Sequence, residues 1–242
     1  MPARAYRGGM EPTRTAIVTG ASRGLGLALA RALAADGWRL TVDARTASDL
    51  EDAARELGRR TEVVAVAGDL ADPGHRQALV RAAGHDIDLL VNNAGVLGPS
   101  PQPALADYPL DVLARVYAVN VLAPLGLIQL ALPRLSRRAT IINITSDAAV
   151  EAYPGWGGYG SGKAALDHLT ATLAAERPDL RVFAADPGDL RTQMHQQAFP
   201  GEDITDRPLP ETAVPGLLAL IAGDHASGRY RVAAAAPAEV AG

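Results

Sequence analysis

Short apolar runs alternate with amphipathic stretches along most of the chain. Residues 15–19, Thr-Ala-Ile-Val-Thr, form a β-like run that ends at a glycine. Residues 25–35, rich in Ala and Leu, predict a helix closed by Gly37. The alternation continues with a strand at 39–44, a helix at 47–57 stopped by Gly58, a strand at 63–67, a helix at 73–83 and a strand at 88–92. Helical segments of about 10–15 residues between strands predict βαβ units and a parallel sheet.

Further along, Val112, Val116, Val119, Leu122, Leu125, Ile128, Leu132 and Leu135 recur at intervals of three or four. That is the spacing of one helix face, and it predicts a buried helix over 112–135. Arg115, Asn120, Pro124 and Gln129 interrupt the stretch. A membrane span needs about 20 mostly apolar residues, so no membrane association is expected. A strand at 140–145 is nearly all apolar, as a strand covered on both faces should be. A helix at 158–176, a strand at 181–185, a helix at 213–222 and an edge-like strand at 229–233 complete the pattern. Residues 199–210 hold three prolines, a glycine and several charges, which predicts a loop. The fold class that follows is α/β: a doubly wound parallel sheet (Rossmann fold) of about seven strands with helices on both faces.

Composition narrows this picture. The 242 residues are 48% hydrophobic and 21% charged, enough apolar content for a sizeable core and against disorder. The net charge of −4 gives no basic surface for nucleic acid. With no cysteine, disulfides, thiol nucleophiles and thiolate-held metals are excluded, which suits a cytoplasmic location. Residues 1–13 are polar and basic without the apolar core of a signal peptide. They predict a flexible extension ahead of one catalytic domain, 14–242.

The first chemical signal sits between the first strand and the first helix. Gly20, Gly24 and Gly26, with Ser22, Arg23 and Leu25 between them, have Gly-x3-Gly-x-Gly spacing. Glycines there permit a tight turn and close approach of backbone to a pyrophosphate, and the following helix offers free N–H groups. The second strand ends Val42-Asp43-Ala44-Arg45. An acidic residue after that strand usually holds the ribose hydroxyl of NAD, whereas arginine takes the 2′-phosphate of NADP. Arg45 and Arg23 could clamp such a phosphate through paired hydrogen bonds. Asp43 is the counter-signal, because strict alternation puts it on the same face as Arg45.

Several further motifs follow in order. They are Asn92-Asn93-Ala94-Gly95, Asn120 in Ala-Val-Asn, Ser146 in Asn-Ile-Thr-Ser, Tyr159 and Lys163 as Tyr-x3-Lys, and Pro187-Gly188-x3-Thr192. Together with the glycine turn they resemble the short-chain dehydrogenase/reductase family from residue 15 to about residue 192. The resemblance implies catalytic roles for Asn120, Ser146, Tyr159 and Lys163. It implies cofactor contacts from the glycine turn, Asp69 and the adjoining Leu70, Asn93, Ala94, Gly95, Tyr159, Lys163, Pro187, Gly188 and Thr192. It also implies a homodimer or homotetramer built through two long helices. In one respect the chain departs from the family. The last strand reads Arg229-Tyr-Arg-Val-Ala, with no clear Asp-Gly-Gly after it.

The chemistry stands beside the resemblance. Hydride delivery to a carbonyl leaves an alkoxide that needs a proton. A tyrosine has an ordinary pKa of about 10, and a nearby cation lowers it. Lys163 is four residues after Tyr159, on the same helix face. Ser146 can donate to the carbonyl oxygen, although it also suits a turn cap. Asn120 is implied to hold a water, and it also suits satisfying backbone inside a buried helix. No metal site is expected, because the histidines are scattered.

Substrate choice in such folds lives in loops beyond the strand ends. Val150, Tyr153 and Trp156 form one candidate wall, and Asp189, Leu190, Met194, His195 and Phe199 form another within a substrate loop at 189–210. Glu151 and Asp189 could recognise a cationic or hydroxylated group. The reading is an NADP(H)-dependent oxidoreductase acting on a small, moderately apolar carbonyl or alcohol. A non-redox lyase, epimerase or cyclase with the same fold, and a nucleotide-sensing binding protein, are the alternatives.

Overall fold

A computed structural model describes residues 13–232. All but the last residue of the 1–13 extension, and residue 233 of the last expected strand, lie outside the described residues. Seven parallel strands run β1 (Thr15–Val18), β2 (Arg39–Ala44), β3 (Val63–Ala67), β4 (Ile87–Asn92), β5 (Leu135–Ile144), β6 (Arg181–Asp186) and β7 (Gly228–Arg231). Their order across the sheet is β3-β2-β1-β4-β5-β6-β7. Eight α-helices connect them: α1 (Gly24–Ala35), α2 (Ala47–Leu57), α3 (Pro73–Ala83), α4 (Leu110–Tyr117), α5 (Ala123–Ala131), α6 (Gly157–Glu176), α7 (Gln193–Ala198) and α8 (Val214–Ala222).

Period-two alternation along each strand divides the interior into two cores. Ala16, Val18, Leu89, Val91, Ile142 and Phe183 face α1, α2 and α8, where Leu29, Leu33, Leu50 and Leu217 meet them. Ile17, Leu90, Ile141 and Val182 face the opposite way, onto Leu79 of α3 and Leu127 of α5. This is the doubly wound arrangement expected for apolar strands linked by amphipathic helices. Strand order reverses between β1 and β4, and a crevice opens there beyond the carboxyl ends of the strands.

Three local expectations are corrected. The helix predicted over 112–135 is broken. A π turn, Ala118–Leu122, separates α4 from α5, and the Ala123 amide reaches back to the Ala118 carbonyl. Pro124 has no N–H to give to the carbonyl of Asn120, so the α ladder cannot pass through Asn120. The wider turn rotates the face, and Leu122 ends up 60% exposed. Second, β5 begins at Leu135 rather than 140, with a register irregularity before Leu89 on its neighbour and a left-handed Arg138. Third, the loop 189–210 contains α7, capped by the Thr192 hydroxyl on the His195 amide.

Candidate active site

The glycine turn is set by backbone conformation and by its neighbours. Gly20 has φ +65° and Gly24 φ +57°, the left-handed region that favours glycine. A Cβ on Gly20 would stand 2.9 Å from the Ala94 Cα. The Asn92-Asn93-Ala94-Gly95 segment is fastened to this turn. Thr19 Oγ1 accepts from the amides of Asn93 and Ala94, at 2.9 and 3.0 Å. The Asn93 side chain donates to the carbonyls of Thr19 and Gly20. The Asn93 amide group is therefore a strut, and the residue meets the cleft with Ala94 and Gly95 beside it. The N-terminus of α1 has no side-chain cap and no acidic residue in its first turn. Its amides and dipole are open to an anion.

The acidic counter-signal at the second strand is held within the protein. Asp43 is 1% exposed. Its Oδ1 accepts from the Gly20 amide at 2.8 Å, and its Oδ2 pairs with Nε2 of buried His75 at 3.1 Å. One oxygen holds the glycine turn and the other is taken by His75 of α3. Arg45 is exposed at the cleft wall. Arg23 departs from the expected two-arginine clamp, because its guanidinium is bound to Asp49 on α2 and to Gln193 on α7. Asp69 and Leu70 line the same end. The Asp69 carboxylate accepts from the Ala71 amide and from Arg115.

At the other end, β5 delivers Ser146 and α6 delivers Tyr159 and Lys163. All three line one cleft of about 1010 Å³ with Gly20, Arg45, Pro187, Gly188 and Thr192. Small-molecule and cofactor sites occupy roughly 300–1,000 Å³, so this one is large. Ser146 caps a short 3-10 turn, Asp147–Ala149, by accepting from the Ala148 amide. Its hydroxyl donates to Asp147 Oδ1 at 2.9 Å. The Tyr159 ring is buried and meets Trp156 edge to face at 5.9 Å. Lys163 Nζ lies 5.5 Å from the Tyr159 ring centroid and donates to the Ile144 carbonyl at 2.7 Å. Asn120 lies in the π turn. Its side chain both accepts from the Val96 amide and donates to the Val96 carbonyl. The amide thus clamps the backbone after Gly95.

The expected lowering of the Tyr159 pKa by Lys163 is not found. Burial pushes the Tyr159 phenol above its ordinary value, and the charges of Asp147 and Asp186 push the same way. Burial also lowers Lys163 to about 8, with Asp167 opposing. Desolvation disfavours both charged forms and is the largest cause of each shift.

Beyond Tyr159 the wall is aromatic and apolar. Tyr153, Trp156, Leu190, Met194, His195 and Phe199 line it, with Asp189 at its edge. His195 stacks on Phe199 at 4.9 Å between ring centroids, and Trp156 meets Phe199 at 5.9 Å. Val150 does not belong to the wall. It follows the 3-10 turn and points out, 62% exposed, and Glu151 beside it is exposed as well. Asp147, which no motif marks, accepts from the Ser146 hydroxyl at 2.9 Å and from the Tyr153 hydroxyl at 3.3 Å. Asp186, likewise outside every motif, is buried at the end of β6 and accepts from the Gly188 amide. Their signal was adjacency, one residue after Ser146 and one before Pro187.

The model of the family described as short chain dehydrogenase matches residues 14–203. The chain is 38% identical over 201 residues to sepiapterin reductase of Mus musculus, an alignment covering 75% of this chain and 76% of that protein. Among solved structures, a short chain dehydrogenase from Pseudomonas syringae superposes with a TM-score of 0.84 at 31% identity, covering 90% of this chain and 93% of the other. A short chain dehydrogenase from Shigella flexneri, complexed with NADP, gives a TM-score of 0.82 at 28% identity, covering 90% and 96%.

Proposed function

The chain belongs to the short-chain dehydrogenase family of oxidoreductases, and on that premise we propose that it is an NADP(H)-dependent enzyme interconverting a ketone and an alcohol. The observation that carries this reading is the convergence of Ser146, Tyr159 and Lys163 on the cleft whose far end holds Arg45 and the uncapped start of α1. These residues fit a nicotinamide dinucleotide. Open amides and left-handed glycines suit its pyrophosphate, and the exposed guanidinium of Arg45 suits a 2′-phosphate. Each Asp43 oxygen already has a partner within the protein and the side chain is almost fully buried, which disfavours a bond to a ribose hydroxyl. The Shigella flexneri structure with bound NADP supports the same choice.

A bound nicotinamide would supply or accept the hydride. The protein's part is to bind the carbonyl, polarise it and move a proton. Tyr159 holds its proton at Oη, since burial keeps the phenol protonated, and so stands ready as the acid in reduction. The Ser146 hydroxyl is the donor for the carbonyl oxygen, turning from Asp147 to do so. Lys163, near 8, can exchange its own proton around neutral pH. The wall of Trp156, Met194 and Phe199 favours an apolar substituent on the carbonyl carbon. Leu110 and Leu122, exposed on the α4–α5 segment, support a homo-oligomer.

The test is NADPH oxidation, followed by absorbance, against a panel of ketones, with Tyr159→Phe as control. Reduction of at least one aryl or alkyl ketone, lost in the variant, is the expected result. No reduction of any ketone and no oxidation of the matching alcohols would sink the proposal.

A further inference from the structure

The last strand carries a residue that the reaction above leaves without a role. Tyr230 of β7 packs on Phe183 at 5.7 Å, so Arg229 points to the opposite face, toward α6. There its Nε donates to Asp167 at 3.0 Å. One terminal nitrogen donates to the Ser146 carbonyl at 3.0 Å and to Asp186 at 3.1 Å. Three elements meet on one guanidinium: α6, the end of β5 and the end of β6. The Asp186 side chain is 3% exposed and that of Asp167 is 16% exposed, while Arg229 keeps 32% of its own surface. The cation covers two largely buried carboxylates from the solvent side.

We propose that Arg229 is a positioning residue: it fixes the strand end that bears Ser146 and screens the Tyr159–Lys163 pair from the carboxylates of Asp167 and Asp186. The proposal rests on the oxidoreductase reading for its kinetic consequence. Its electrostatic part stands on the geometry alone.

Asp167 lies four residues after Lys163, on the same helix face, where its charge favours the ammonium. Asp186 ends β6, where its charge opposes a phenolate at Tyr159. Asp147, after β5, is the third carboxylate near the pair and bonds Ser146 instead. Left unpaired, Asp167 and Asp186 would set the charge of the pair between them. A guanidinium suits the task because its planar fork reaches three acceptors at fixed angles, which an ammonium cannot.

Lys163 is the only lysine of the chain, so protein labelled with [13C]lysine gives one side-chain resonance whose pH titration reports that residue alone. The wild type should titrate near 8. Arg229→Gln should move the midpoint up by about one pH unit, because Asp167 is released from its cation. In an Asp167→Asn background the same substitution should move it far less. An unchanged midpoint, or an equal shift in both backgrounds, overturns the screening. Arg229→Lys keeps the charge but not the fork, and serves as the variant that folds most safely. In ketone reduction it should lower kcat roughly tenfold with KM and pH profile unchanged, and wild-type kcat overturns the hold on Ser146. A wild type with no turnover on any ketone defeats the oxidoreductase reading, while the titration still decides the clamp.

Discussion

Tyr159 and Lys163 illustrate how burial acts on two opposite charges at once. Each is driven toward its neutral form, the phenol up and the amine down to about 8. A phenol kept protonated is a donor for an alkoxide, so Tyr159→Phe should lower ketone reduction by about 10²–10⁴-fold, measured as kcat. Under the proposed function, Arg45 would act on the cofactor rather than the chemistry. Losing a charge-assisted hydrogen bond costs about 1.5–3 kcal/mol, so Arg45→Ala should raise the Kd for NADPH about tenfold or more and leave that for NADH nearly unchanged. Equal effects on the two cofactors would contradict the assignment. The tyrosine, lysine and serine were legible in the sequence because their spacing and order carry the motif. Asp43 was not, since alternation says which face a side chain takes but not that a histidine 32 residues away captures it. Asp186 and Asp147 were missed because their influence passes through space to Tyr159.

At the scale of elements, the proposed function gives the short helix α7 the largest part in holding substrate. It presents Met194 and His195 to the cleft and is fastened at its start by the Thr192 hydroxyl. Removing such a cap costs about 1 kcal/mol of local stability. Thr192→Ala should therefore loosen α7, seen as faster amide exchange across 193–198, and raise KM for the ketone more than it lowers kcat. Six residues are too few for a periodic signal, which is why this helix read as loop. The break between α4 and α5 was half legible. The apolar spacing predicted helix on both sides, and Pro124 sat in plain view, but the grip of Asn120 in the π turn on the Val96 backbone joins segments 24 residues apart, which spacing cannot show.

For the whole molecule, the doubly wound sheet could be read almost entirely from alternation, because the central strands feed two cores and each helix covers one face of the sheet. The strand order and the crevice between β1 and β4 follow from that topology. The same burial that builds the site also tunes stability with pH. Lys163 is near 8 when folded against an ordinary 10.5. Between those values the unfolded chain binds a proton that the folded chain does not, so stability rises with pH across that window. The penalty is full below 8. Tyr159 has the opposite sign above about 10, where the folded chain keeps a proton that the unfolded chain loses. Urea midpoints taken from pH 7 to 10 should rise more for the wild type than for Lys163→Met. Parallel curves would contradict the buried amine.

The central claim is hydride transfer to a carbonyl with Tyr159 as the proton donor. Its most direct test uses NADPH deuterated on the transferable position, with mass spectrometry of the product alcohol. One deuterium on the carbinol carbon, and no product above background from Tyr159→Phe, is the predicted result. Product formed without the label, or labelled product undiminished in Tyr159→Phe, would contradict it.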